Sequence, residues 1–243
     1  FGFLCRTARP LSAVPTVGSR VVAKNGAPGV VTRVNAVAAA ADVQFATRGR
    51  VQTYLLSDLR TPVFTIAQAV VGPTGIELVY DKMHLCDMGA CSEVAHGLTR
   101  GERPGVFTCR GWRVGVCICY DLRFPHLYRR LARDGAEMLA IPAAFTFNSG
   151  KAHWHVLLRA RAIETGCFVV AAAQCGTHAD GRRTYGHALI VSPWGEIIAE
   201  APTDDNDAGA GANDAVIHAA LDPQAGARAR KAIPALGTQP EFS

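Results

Sequence analysis

The run "WRVGVCICYDLRFPHLYRRLARDGAEMLAIPAAF", residues 112–145, constrains the fold more than any other stretch of the chain. It opens as a strand without polar alternation, which predicts a strand covered on both faces. Cys119, Tyr120 and Asp121 then break that pattern. Leu127, Tyr128 and Leu131 follow at helical spacing, and Gly135 stops the helix. "EMLAIPAAF" returns as a strand. Repeated strand–helix units of this kind predict an α/β layered domain.

The alternation continues downstream. "AHWHVLLRARAIETG" reads as a second helix, with Trp154, Leu157, Leu158 and Ala162 on one face and Gly166 as its stop. "CFVVAAAQC" reads as another buried strand, and "GHALIVSPWGEIIAEA" as a hairpin around "PWG". Upstream, "FTIAQAVV" and "GIELVY" form a hairpin on "GPTG". "TDDNDAGAGAND" is a solvated loop leading to a strand "AVIHAAL". Residues 17–60 have a different texture. "SRVVA", "VVTRV", "DVQFA" and "VQTYLL" are short strands separated by the turn signals "KNGAPG" and "TRGR", a small β-rich module of SH3-like pattern. The "TP" at 61 and 62 marks a joint, giving a division into 1–62 and 63–243.

Charge follows the same division. Residues 1–62 carry eight Lys/Arg and two Asp/Glu, a net of +6, and the remainder a net of −1. That basic stretch permits phosphate contacts. Phe1, Phe3, Phe45 and Tyr54 are too few to build a stacking platform, so nucleic acid is not the expected partner. The acid-free start, which lacks an initiator Met, resembles a targeting segment. A composition of 49% hydrophobic and 19% charged residues suits a packed globular chain, and no apolar run has the length of a membrane span. Cys117 and Cys119 alternate with apolar residues, and Cys167 and Cys175 bracket a strand, a placement that predicts reduced thiols in an intracellular compartment: an organelle such as a mitochondrion or plastid, or else the cytoplasm. No CxxC pair occurs, and Cys86 and Cys91 have no second pair at zinc-finger spacing, so no metal site is expected.

Three residue types could do chemistry together. Free cysteine is among the most buried residue types, so packing is the default account of Cys119. A cysteine at a strand-to-helix corner nevertheless has the opening N–H groups of a helix beside it, and their partial positive charge favours a thiolate or an oxyanion. Lys82 in "YDKMHLCD" follows a strand, where an ammonium lowers the pKa of a nearby thiol. Glu93 in "ACSEVAHG" is the next carboxylate, with a loop surface as its plain alternative.

The order Lys82, Glu93, then Cys119 in "CYDLRFP" resembles the nitrilase superfamily of carbon–nitrogen hydrolases, and in particular its Nit-type branch, which includes omega-amidase and deaminated glutathione amidase. "GAEMLAIPAAF", "AHWHVLLRARAIETGCFVVAAAQCG" and "YGHALIVSPWGEIIAEA" extend the resemblance over residues 63–236. The resemblance implies an α-β-β-α sandwich, a homo-oligomer, no metal and no organic cofactor. It implies that Cys119 attacks an amide carbon to form a thioester, that Lys82 and the Tyr120 N–H hold the oxyanion, and that Glu93 orients the lysine. "FTFNSGKAHW" supplies Phe145, His153 and Trp154 as further pocket residues, and a small ω-amide of a dicarboxylic or 2-oxo acid is the implied substrate.

The chain departs from that pattern at one important place. The family's general-base Glu lies in the first third of its domain, and the carboxylates before Lys82 are Asp42, Asp58, Glu77 and Asp81, none at that position. Loss of a positioned base costs about 10²- to 10⁴-fold in rate. His126 in "RFPH" and His155 in "AHWH" stand where the Nit-type branch usually has Glu, and neither is taken as a replacement base. The expectation is therefore an incomplete nitrilase-like sandwich behind a β-rich module. It would act as a degenerate subunit with a scaffold role, its open side covered by a protein partner or a second copy. The alternative is an active cysteine amidohydrolase whose base comes from another chain or an omitted segment.

Overall fold

The computed structural model describes residues 20–22, 28–35, 40–45, 51–55, 65–73, 75–88, 91–178, 181–201 and 215–238. They fall into two compact units, one drawn from Ala67–His84 and Gly101–Ser243, the other from Arg6–Ile66 and Leu85–Arg100. The joint at 61 and 62, the basic start and the loop "TDDNDAGAGAND" lie outside the described residues.

In the second unit β1 (Arg20–Val22), β2 (Pro28–Asn35), β3 (Ala40–Phe45) and β4 (Val51–Leu55) form an antiparallel sheet in chain order. The four expected strand runs are these four strands. Closure into an SH3-like barrel has no further pairing behind it among the described strands. A two-residue ladder between β7 (Asp87–Met88) and β8 (Cys91–Ser92) belongs to the same unit.

The first unit begins with the hairpin β5 (Ala67–Gly72) and β6 (Gly75–Asp81). A six-stranded sheet follows, built from β9 (Gly105–Cys109), β10 (Trp112–Val116), β11 (Met138–Ala140), β12 (Phe168–Ala171), β15 (Leu189–Val191) and β16 (Ile197–Glu200). Its order is β16-β15-β12-β11-β10-β9, and β10, β11 and β12 run parallel. β13 (Cys175–Thr177) and β14 (Arg183–Tyr185) make a separate antiparallel pair. The parallel pairs need crossovers, supplied by α1 (Pro125–Arg133) and α2 (Phe147–Thr165). Two successive right-handed crossovers in one direction put both helices on the same face, where α1 and α2 pack together. Leu131, Leu139 and Leu158 are fully buried in that layer, each worth about 1.5–3 kcal/mol.

Helix boundaries follow local chemistry. Pro125 opens α1 at a position whose N–H would lack an intrahelical acceptor. α2 starts at Phe147, earlier than its apolar periodicity announces, because Gly150 lets the helix lie against Tyr185; a Cβ there would sit 2.3 Å from the Tyr185 Cβ. α2 ends at Gly166 in the left-handed conformation, φ 62°. Beyond it, Arg230 of α3 (Ala225–Ala232) donates to the carbonyls of Thr165 and Ala136.

Two expectations change. "AVIHAAL" is irregular chain, not a strand, and Val216 is largely exposed. Apolar alternation needs a partner strand to become a ladder, and none pairs with it among the described residues. The run "WRVGVCICY" stops being a strand at Val116, because the backbone turns a corner at Cys119. Among the described residues no helix is long and apolar enough to cross a membrane.

Candidate active site

Three residues beyond the end of β10 at Val116, Cys119 opens a 3-10 turn, Cys119–Arg123. Its φ is +47°, in the left-handed region that a side chain with a Cβ rarely adopts. Such a conformation costs about 1–3 kcal/mol and persists only where its surroundings over-determine it. Here they do. The Cys119 N–H donates to the Pro142 carbonyl at 2.9 Å, and Cys117 N–H to Ala140 at 3.2 Å. The thiol is half-buried, with one side against the core.

Asp121 holds the corner together. Its fully buried carboxylate accepts from the Ile118 N–H (2.9 Å), the Tyr80 hydroxyl (2.7 Å) and the His84 N–H (2.9 Å), with His84 Nδ1 at 2.8 Å. Hydrogen bonds to a charged group contribute about 1.5–3 kcal/mol each. Burial, and then the charge of Asp121, push the Tyr80 phenol far above its ordinary range, so it remains a donor. Tyr80 and His84 flank Lys82. One carboxylate two residues beyond Cys119 therefore anchors the Lys82 segment to the cysteine corner. Lys82 itself is buried, at 1% exposure, and its carbonyl accepts from the Gly101 N–H. The sequence marks Asp121 only as an acid in the first turn of a short helix.

Glu93 belongs to the second unit. Its carboxylate accepts the Cys86 N–H at 2.6 Å, and its own N–H donates to the Cys86 carbonyl.

The expected pocket residues gather around Arg123, which sequence reading passed over. The guanidinium carbon stands 4.9 Å from the Phe145 ring centroid and 5.5 Å from that of Tyr120. Arg123 Nη1 is 3.1 Å from His153 Nδ1. Phe145 packs on Trp154 with centroids 5.0 Å apart. Arg123 Nε is buried with no hydrogen-bond partner among the described residues. A buried donor on a cation can bind an anionic partner through a charge-assisted hydrogen bond. His126 is tied to this surface through His84, Nε2 to Nε2 at 3.2 Å. A hollow of about 340 Å³ between Trp194 and Arg228 lies elsewhere and includes none of these residues.

The geometry is that of a strained cysteine corner braced to a buried lysine segment, with an arginine beside it. A carbon–nitrogen hydrolase family model matches residues 52–231, and the chain belongs to that family, the nitrilase superfamily. The deaminated glutathione amidase of Synechocystis sp. is 47% identical over 139 residues, covering 54% of this chain and 51% of that protein. The chain thus spans about half the length of that curated relative. Among solved structures, the C. elegans NitFhit protein is similar at 32% identity and a TM-score of 0.60, over 72% of this chain and 42% of that one. A mutant amidase from Nesterenkonia sp. AN1, carrying the acetamide moiety of fluoroacetamide at its active-site cysteine, is similar at 27% identity and a TM-score of 0.51, over 56% of this chain and 51% of that one.

Proposed function

We propose that this chain is a cysteine amidohydrolase acting on small ω-amides that carry a carboxylate. The observation that carries the reading is the half-buried Cys119 held at φ +47° beside the Asp121 anchor of the Lys82 segment. The amidase names of its relatives support it over a scaffold role. The Cys119 thiolate attacks the amide carbon, forming a C–S bond. The tetrahedral oxyanion is held by the Lys82 ammonium and the Tyr120 N–H. Collapse breaks the C–N bond, and the amine leaves with a proton. Water then cleaves the thioester and restores the thiol. Arg123 receives the substrate carboxylate, with Phe145, Trp154 and His153 lining the pocket. The proton-transferring carboxylate is supplied by a partner chain of different sequence or by a segment outside this sequence.

The test uses the protein with whatever co-purifies. Deaminated glutathione and simple ω-amides of 2-oxo acids are offered, and the acyl intermediate is sought by mass spectrometry. An adduct on Cys119 that forms and decays with amine release supports the reading. Failure of Cys119 to acylate with any of these amides, in a preparation whose oligomeric state is defined, would sink it.

A further inference from the structure

His155, His187 and Glu200 come from three separate places: the middle of α2, the segment before β15, and the end of β16. Their ligand atoms nevertheless all lie within 4.8 Å of one another. Glu200 Oε1 is 2.8 Å from His155 Nε2 and 2.6 Å from His187 Nδ1. Two imidazole nitrogens and a carboxylate oxygen therefore converge on one point, far apart in sequence and none placed in the cysteine machinery. We infer that these three residues form a binding site for a divalent transition-metal ion, zinc by preference.

The donor set selects the ion. Imidazole suits zinc, copper and nickel, whereas magnesium and calcium take oxygen. Three protein ligands leave a fourth tetrahedral position for water. Metal–ligand distances of 2.0–2.2 Å place neighbouring ligand atoms about 3.3 Å apart. The contacts to Glu200, at 2.8 and 2.6 Å, open by about 0.5 and 0.7 Å, and the two imidazole nitrogens, within 4.8 Å of each other, adjust toward the same spacing. The side chains are 27%, 13% and 33% exposed, so an ion reaches them from solvent.

The rings are set before any ion arrives. Tyr185 stacks on His187, with centroids 4.2 Å apart and planes 28° from parallel, and the His155 ring meets Tyr185 edge-on at 5.8 Å. Trp154 Nε1–H donates to the His187 carbonyl at 2.8 Å, which couples α2 to the turn carrying His187. A bound ion would staple α2 to the β15–β16 hairpin independently of amide hydrolysis.

The full chain, stripped with chelator and dialysed, is titrated with Co²⁺ alone and followed by visible spectroscopy. We expect one equivalent bound by nitrogen and oxygen and displaced by Zn²⁺. Glu200→Gln and His155→Gln should each weaken binding by at least about 10- to 100-fold, the range for losing even an outer-shell partner. Zn²⁺ should raise the Tm of the native chain and of neither variant. Should a variant misfold, the native chain decides: Zn²⁺ must protect His155 and His187 from diethyl pyrocarbonate. No uptake at micromolar Co²⁺ would mean a hydrogen-bonded triad only. Uptake unchanged in both folded variants, with sulfur-to-cobalt charge transfer, would mean cysteine ligation. Either result, or a lack of histidine protection, overturns the site.

Discussion

Cys117 and Cys119 stand two residues apart, and in a continuing strand they would face the same side. Cys117 is fully buried, with its thiol 3.5 Å from the Ala140 carbonyl. Burial pushes that thiol far above its ordinary range; the nearby Asp121 charge pushes the same way, and the Tyr128 hydroxyl only partly opposes it. Cys167 is likewise pushed up, chiefly by burial. Cys119 escapes that environment because its left-handed φ turns the chain out of the strand at the start of the 3-10 turn. Local backbone conformation, not residue type, separates the fully buried thiol from the half-buried one. The same carboxylate disfavours the Cys117 thiolate while accepting the Ile118 N–H just before Cys119.

The sharpest way to break this comparison is to remove each thiol. Cys119→Ala should abolish amide hydrolysis and the acyl adduct, whereas Cys117→Ala should keep both and lose about 1 kcal/mol of stability, read from urea unfolding. Next in size, Lys82→Met should lower kcat about 10²- to 10³-fold with a smaller change in KM, the signature of a lost oxyanion donor. Equal losses through KM would instead make Lys82 a binding residue. Asp121→Asn should cost about 1–3 kcal/mol by turning a donor toward the donors it now satisfies, and should lower kcat in the fraction that stays folded. Iodoacetamide should label Cys119 in the native protein at pH 8 while Cys117 and Cys167 react only after denaturation, as mass spectrometry would show. The smallest effect concerns Glu200. Its folded pKa is depressed, so its contribution is fully present above its ordinary value of 4.5 and fades as pH falls through the lowered one. The stability gap between the native chain and Glu200→Gln should be below about 1 kcal/mol at neutral pH and close as pH falls through that lowered value.

Much of the first unit was legible because its signals are local. Period and punctuation placed α1, α2, both hairpins and their glycine stops. The cysteine corner showed as polar residues interrupting an apolar run. Asp121 was not legible, since its four donors come from residues 80, 84 and 118. Arg123 was missed for the same reason: its neighbours Phe145 and His153 arrive through the β11–α2 connection. "AVIHAAL" misled because alternation reports only a half-buried habit, not the presence of a partner strand.

The amino-acid order by itself determined the α/β alternation, the family resemblance and the candidates Lys82, Glu93 and Cys119. Periodicity, turn chemistry and residue order are properties of short stretches, so they can be read without coordinates. Only the tertiary structure decided that Cys119 takes a left-handed corner, that Asp121 ties it to the Lys82 segment, and that His155, His187 and Glu200 meet. Those facts depend on backbone groups and side chains brought together across tens of residues, and close packing, not local pattern, chooses which ones touch.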